Sequence, residues 1–189
     1  MPAPSLDDLA TLIAARRTSM LCDNDREVPV ELVERLCSLA TWAPNHKRTW
    51  PWRFALFTGA GRSRLGEAFA ADMVDVGFGD EGKVAKTRTK YLRTPATLVV
   101  GSAAHEKPAL QRENVHAVAA GIQNLLLGAT AAGLASYWSS PPLNDSARVL
   151  AMCRFEPDVH LLAAIYLGWP QAEMPVPERP APSLTVIDS

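Results

Sequence analysis

Apolar positions along the chain fall into stretches of helical and of strand period. In SLDDLATLIAARR, Leu6, Leu9 and Ile13 return to one face at helical spacing, and Ser5 with Asp8 three residues later gives a capping-box-like start. In VELVERLCSLATWA, Leu32, Val33, Leu36, Leu39, Ala40 and Ala43 do the same behind Pro29, which suits a first helical turn. Pro44 cannot continue the hydrogen-bond ladder, so that helix is predicted to stop near Ala43. WRFALFTG is short, apolar and aromatic and reads as a strand. GRSRLGEAFAADMVDVG and EGKVAKTRTKYLR read as helices, the second carrying Lys83, Lys86, Arg88, Lys90 and Arg93, a pattern that fits a solvated face. Pro95 ends it, and ATLVVGSA reads as a buried strand.

The longest periodic element is ALQRENVHAVAAGIQNLLLGATAAG. Val115, Val118, Ile122, Leu125, Ala129 and Ala132 form one stripe, and Leu126, Leu127 and the alanines make much of the remainder apolar. A helix apolar nearly all round is expected to be buried, here as a central helix. Gly128 and Gly133 have P-loop spacing, but no Lys-Ser/Thr follows, so the match is fortuitous. LASYWSSPPL and VHLLAAIYLGWP read as strands, with NDSARVLAMC between them as a short helix capped by Asn144 or Asp145. The tail, about 171–189, is proline-rich and reads as extended, able to wrap a partner subunit. Helices mixed with a few strands, with no repeat and no linker, predict one α+β domain over residues 1–189.

Composition narrows the function classes. The 189 residues carry 19 basic and 20 acidic side chains, a net charge of −1, which argues against a general nucleic-acid binder. No apolar run reaches the ~18 residues of a membrane span. The start, MPAPSLDDL, lacks the basic and apolar regions of a signal peptide. Cys22, Cys37 and Cys153 are odd in number and far apart, with no zinc-type spacing, and a reducing cytoplasm is the expected setting. There is no triad, carboxylate pair or metal cluster.

One segment resists a bland reading. Residues 43–54, APNHKRTWPWRF, place His46, Lys47 and Arg48 beside Trp50 and Trp52. A solvated loop needs bases but no tryptophans, and a core segment needs the reverse. A site for a flat anionic ligand uses both.

Four segments in order resemble the FMN-dependent nitroreductase family of NAD(P)H-dependent flavin oxidoreductases. They are Arg16-Arg17-Thr18, where the family typically has Arg-Arg-Ser; APNHKRTWPW, similar to a small branch with Ala-Pro-Asp-His-Lys before Pro-Trp; GIQNLLLGATAAGLASYW; and AIYLGWP, similar to the family's Leu-Gly-x-Pro. Together they span residues 10 to 170. The resemblance implies a nitroreductase-like α+β fold, a central mixed or antiparallel sheet flanked by helices, and an intertwined homodimer with FMN at the subunit interface. In that dimer the loop after Pro44 would reach the partner's flavin, and Trp50 and Trp52 would help bury interface surface.

The resemblance also assigns residues. Arg16, Arg17 and Thr18 would contact the FMN phosphate and ribityl chain, where arginine can grip phosphate with paired hydrogen bonds; the plainer reading is that the arginines offset a helix dipole. Trp42 and His46 match flavin-contacting positions of the branch, against plainer readings as a core tryptophan and a surface histidine. Trp138, Ser139 and Ser140 match a stretch that lies along the flavin. The branch has Trp-Arg-Ser there, so one phosphate-directed cation is missing, with Arg179 a replacement candidate. Lys86 is a loose counterpart of a lysine near the pyrimidine edge, while Lys47 and Arg48 read as a solvated pair. Trp50 stands in place of the usual glutamine, which bears on pocket shape.

The expected activity is ping-pong transfer of hydride from NAD(P)H to FMN and then to a nitroaromatic, quinone or similar small acceptor, with no side chain as nucleophile or base. Three alternatives remain at this stage: a flavin storage or sensor protein without turnover, a substrate dehydrogenase using oxygen, and a non-flavin interaction module.

Overall fold

The computed structural model describes residues 5–188; residues 1–4, the first part of the MPAPSLDDL start, and residue 189 lie outside the described residues. Helix α1 spans Leu6–Ala15, with the Ser5 side chain accepting from the Asp8 amide as its spacing predicts. The two-residue strand β1, Cys22–Asp23, falls in a stretch too polar to read as a strand. Then come α2 (Val30–Ala40), β2 (Trp52–Thr58), α3 (Ala60–Asp75), α4 (Glu81–Lys90), β3 (Ala96–Ser102), α5 (Pro108–Ala131), β4 (Ala135–Ser139), α6 (Ala147–Cys153) and β5 (His160–Pro170). The strands form one antiparallel sheet, ordered β2-β3-β5-β4, with β1 on the end of β5. The fold is α+β, with helices on both sheet faces.

Strand alternation builds the two layers. Leu98, Val100, Ile165 and Leu167 face α2 and α5, while Val99, Ala164 and Tyr166 face α3 and α6. On the second side Phe69, Tyr91 and Tyr166 stack at ring separations of 5.6 and 5.9 Å. On the first, α2 crosses α5 at two glycines. A Cβ on Gly121 would lie 2.6 Å from the Ala40 carbonyl oxygen, and one on Gly128 would lie 2.5 Å from Leu39. Gly128 is therefore a packing glycine.

Three expectations need correction. Helix α5 is buried along one side only: Val118, Ile122, Leu125 and Ala129 are buried, but Gln123 is exposed and Leu127 half-buried. The apolar face of α1 is open, with Leu6, Leu9 and Ile13 79%, 44% and 49% exposed and no residue of the helix buried. The start of α6 is capped by neither Asn144 nor Asp145. Asp72, reaching over from α3, accepts from the Ser146 hydroxyl and the Arg148 amide and pairs with the Arg148 guanidinium. Burial pushes that carboxyl up, but the Ser146 and Arg148 hydrogen bonds outweigh it and hold it below its ordinary value.

Candidate functional site

The residues singled out in the sequence separate along α5, with the His46–Trp50 loop at its N-terminal end and Arg16–Thr18 at its C-terminal end. At its N-terminal end lies the loop that follows Pro44. Its turn, His46–Arg48, is no regular helix, in keeping with the irregular loop expected. Lys47, Arg48 and Trp50 take left-handed φ of 60°, 52° and 50°, a conformation that costs non-glycine residues energy and needs support from its surroundings.

Asn45 and α5 provide that support. The Asn45 side chain donates to Thr49 Oγ1 at 3.0 Å and accepts from the Trp50 amide at 2.9 Å. Thr49 donates to Asn114, a buried residue whose amide donates to the Ala103 carbonyl at 3.1 Å. His46 Nδ1 lies 2.5 Å from the Glu113 carboxylate. Asn45, Thr49, Glu113 and Asn114 were not picked out from sequence. Asn45 had a signal, since asparagine side chains build turns, but Glu113 and Asn114 look like any polar helix residues.

The tryptophans divide. Trp52 is buried in the first layer, with its Nε1 donating to the Ala117 carbonyl at 3.3 Å, so it belongs to the core and not to an exposed interface. Trp50, with its ring centroid 6.2 Å from that of Trp52, is 60% exposed. Trp42 is 83% exposed, which removes the core reading for it.

The second group lies at the C-terminal end of α5. Thr18 bridges Ser136, and the Ser19 amide donates to the Ser136 carbonyl at 3.0 Å, so the chain after α1 is tied to β4. Trp138 and Ser139 follow on that strand and Ser140 just beyond it; Trp138 and Ser140 are exposed and Ser139 half-buried. Arg16 makes one long contact, 3.4 Å to Thr18 Oγ1. Arg17 is more committed. It donates to the Ala14 and Arg16 carbonyls at the end of α1, and its Nε donates to Pro175 in the tail at 3.1 Å. Helix capping thus describes Arg17 well, and Arg16 is the freer cation. Among the described residues neither forms an ion pair. The Ser136 hydroxyl beside Thr18 is buried without a hydrogen-bond partner.

Two hollows flank this end. One, of about 410 Å³, lies between Arg17, Thr130, Leu134 and tail residues Met174 and Val176. The other is a cleft shared by Thr18, Tyr137, Gln171 and Arg93, the last two not foreseen as neighbours of Thr18. Arg179 lies farther along the exposed tail. From Glu113, beside His46, to Thr130, beside Arg17, is 17 residues of helix. At 1.5 Å per residue that is ~25 Å, so no single small ligand bound to one chain spans both groups.

The arrangement offers cations and hydroxyls at one end, flat aromatic surface at both, and no nucleophile. Burial pushes the thiols of Cys22 up to about 11 and Cys153 up to about 12; burial, with Glu34 adding to it, takes Cys37 to about 12, so none is a thiolate at neutral pH. Among the described residues no cluster of three metal-ligating side chains exists, and no helix is long and apolar enough to cross a membrane.

The family model described as "Nitroreductase family" matches residues 13–169. The chain belongs to the nitroreductase family. This family member is 26% identical over 168 residues to "Putative NAD(P)H nitroreductase YdjA" of Escherichia coli (strain K12), covering 88% of this chain and 90% of that one. Among solved structures, it is similar to the nitroreductase-like family protein from Bacillus cereus, with a TM-score of 0.79, 26% identity and full coverage of both chains. It also shares the fold of a nitroreductase with bound FMN from Bacteroides fragilis, with a TM-score of 0.75, 17% identity and coverage of 96% and 99%.

Proposed function

We propose that the chain, as one nitroreductase-like domain, is an FMN-dependent NAD(P)H oxidoreductase that acts as a cytoplasmic homodimer. Hydride would pass in ping-pong fashion from NAD(P)H to FMN and on to a nitroaromatic, a quinone or a similar small acceptor. The observation that carries this reading is the division of the site residues between the two ends of α5. Two copies packed along their α1, α2 and α5 faces, antiparallel, bring the Arg16–Thr18 end of one chain to the His46 end of the other. The open apolar residues Leu9, Ile13, Leu39 and Trp42 supply the surface for that contact. The FMN-bound neighbour and the relative named for NAD(P)H support the cofactor and donor.

The residues present fit FMN. Arg16 has donors not taken by a carboxylate, and Thr18 offers an exposed hydroxyl. Arg16 and Thr18, with Arg17 behind them, would hold the phosphate and ribityl oxygens, and Trp138, Ser139 and Ser140 would line the flavin. Trp42 and His46 come from the other subunit. Because His46 Nδ1 is engaged by Glu113, Nε2 is the ring nitrogen left for a ligand. FMN, when bound, supplies the hydride chemistry.

The test is the visible spectrum of protein saturated with FMN and freed of excess, before and after anaerobic NADPH and NADH. A retained yellow band that bleaches is the expected result. A band that persists favours a flavin storage protein, a reading to which the exposed Trp50 lends itself as a cover over the ring. No retained band overturns the Arg16–Thr18 assignment.

A further inference from the structure

The basic helix that the sequence offers as a solvated face carries a regular stripe of cations. Lys83, Lys86, Lys90 and Arg93 are spaced 3, 4 and 3 residues apart, which returns them to one side of α4 and of the turn that follows it. Arg88, off that stripe, pairs with Glu67; among the described residues none of the four stripe cations forms an ion pair. Asp80 caps the helix by accepting from the Lys83 amide at 2.7 Å, while Lys83 Nζ lies 4.0 Å over the Phe78 ring. Lys83 and Lys86 are exposed, but Lys90 is half-buried, its ammonium 4.9 Å from the Tyr91 ring centre. Burial first, then the charges of Arg93, Lys83 and Lys86, push the Lys90 ammonium down to about 8. Like charges held together without a carboxylate are relieved by an anion.

Position suggests which anion. Arg93 lines the cleft that holds Thr18 and Tyr137. From there the stripe runs back along α4 for ~15 Å at the rise of a helix. Thr18 would face the phosphate and ribityl chain of the flavin, so a nicotinamide stacked on the ring beyond it would leave its pyrophosphate and any 2′-phosphate free to reach along such a track. Resting on the oxidoreductase reading above, we propose that the Lys83–Lys86–Lys90–Arg93 stripe binds the phosphates of the nucleotide donor and selects NADPH over NADH. The 2′-phosphate dianion is the group that NADH lacks, and ammonium groups meet it as point charges. The FMN phosphate is the other source of the same chemistry.

The experiment compares the FMN-loaded protein with its Lys83→Gln/Lys90→Gln variant, leaving Lys86 in place. NADP⁺ and NAD⁺ are titrated by calorimetry, FMN retention is measured, and kcat/KM is taken with both reduced nucleotides. The expected result is an NADP⁺ affinity weakened roughly tenfold or more, with a much smaller change for NAD⁺. The kcat/KM ratio of NADPH to NADH should fall by a similar factor. Lys90→Arg should keep the NADP⁺ affinity, and the double variant without ligand should melt higher by a few degrees, since a repulsion is removed. Equal losses for both nucleotides, or no loss, overturn the proposal. So does loss of FMN with NADP⁺ binding intact, which would assign the stripe to the flavin phosphate. Should wild-type protein retain no FMN, the oxidoreductase reading fails separately, and NADP⁺ titration of the flavin-free chain still decides the stripe.

Discussion

The two ends of α5 are built differently. At the N-terminal end, Asn45, Thr49, Asn114, His46 and Glu113 close a network that holds three left-handed residues in place. At the C-terminal end, Arg16 has a single long contact and Thr18 is exposed. One end has its polar groups satisfied inside the chain. The other keeps donors free. A preorganised loop can present aromatic surface and a histidine without reshaping, whereas free cations and hydroxyls can be satisfied by a bound anion. In the proposed dimer each site takes one end from each chain.

The sharpest way to break this pairing is to charge the open face of α1. Leu9→Asp with Ile13→Asp should leave the protein monomeric by sedimentation and abolish FMN retention, although neither residue is in the candidate site. A monomer that still holds FMN would mean that one end suffices. Next in size, Arg16→Ala should weaken FMN binding roughly ten- to a hundredfold in a fluorescence titration, because a charged hydrogen bond contributes ~1.5–3 kcal/mol. Arg17→Ala should cost less flavin affinity, its guanidinium being taken up by Ala14, Arg16 and Pro175. Equal effects would show that the two arginines do not divide their work in this way.

At the satisfied end the effect should appear in stability. Asn45→Ala removes two hydrogen bonds from a strained turn and should lower unfolding stability by ~1–3 kcal/mol in urea. An unchanged urea midpoint would mean that the left-handed turn is held by its aromatic packing instead. The smallest effect concerns pH near the open end. Burial and the neighbouring cations push the Lys90 ammonium down to about 8 in the folded chain against its ordinary 10.5, so between those values the unfolded chain binds more protons. Stability should therefore gain a component as pH rises from about 8 to 10.5, and Lys90→Met should remove it. A Lys90→Met protein with the wild-type pH slope in thermal melts would rule this out.

Much of the fold was legible because burial imposes period. Helix α5 and strands β3 and β5 have apolar runs that few other arrangements could hide, and the helices before Pro44 and Pro95 end a few residues ahead of each proline, at Ala40 and Lys90. The capping of α1 by Ser5 is local chemistry and could be read directly. β1 could not, because two residues carry no period and their pairing to Trp169 and Pro170 is a long-range event. Nor could the cap on α6, since Asp72 lies far away in sequence. Trp42 and Trp52 look alike in the sequence, yet one is 83% exposed and the other 8%.

By itself the sequence determined which side chains were available: a pair of arginines behind a helix, a histidine, a lysine and an arginine among tryptophans, an apolar central helix and a basic one. Tertiary structure decided how they are distributed. It placed Arg16 and His46 at opposite ends of α5, tied Arg17 to the tail, lined Arg93 up with Thr18 and left Lys90 half-buried without a carboxylate. The physical reason is that local propensity and period act over a few residues, whereas distance, burial and charge neighbourhood are set by contacts between segments far apart in the chain.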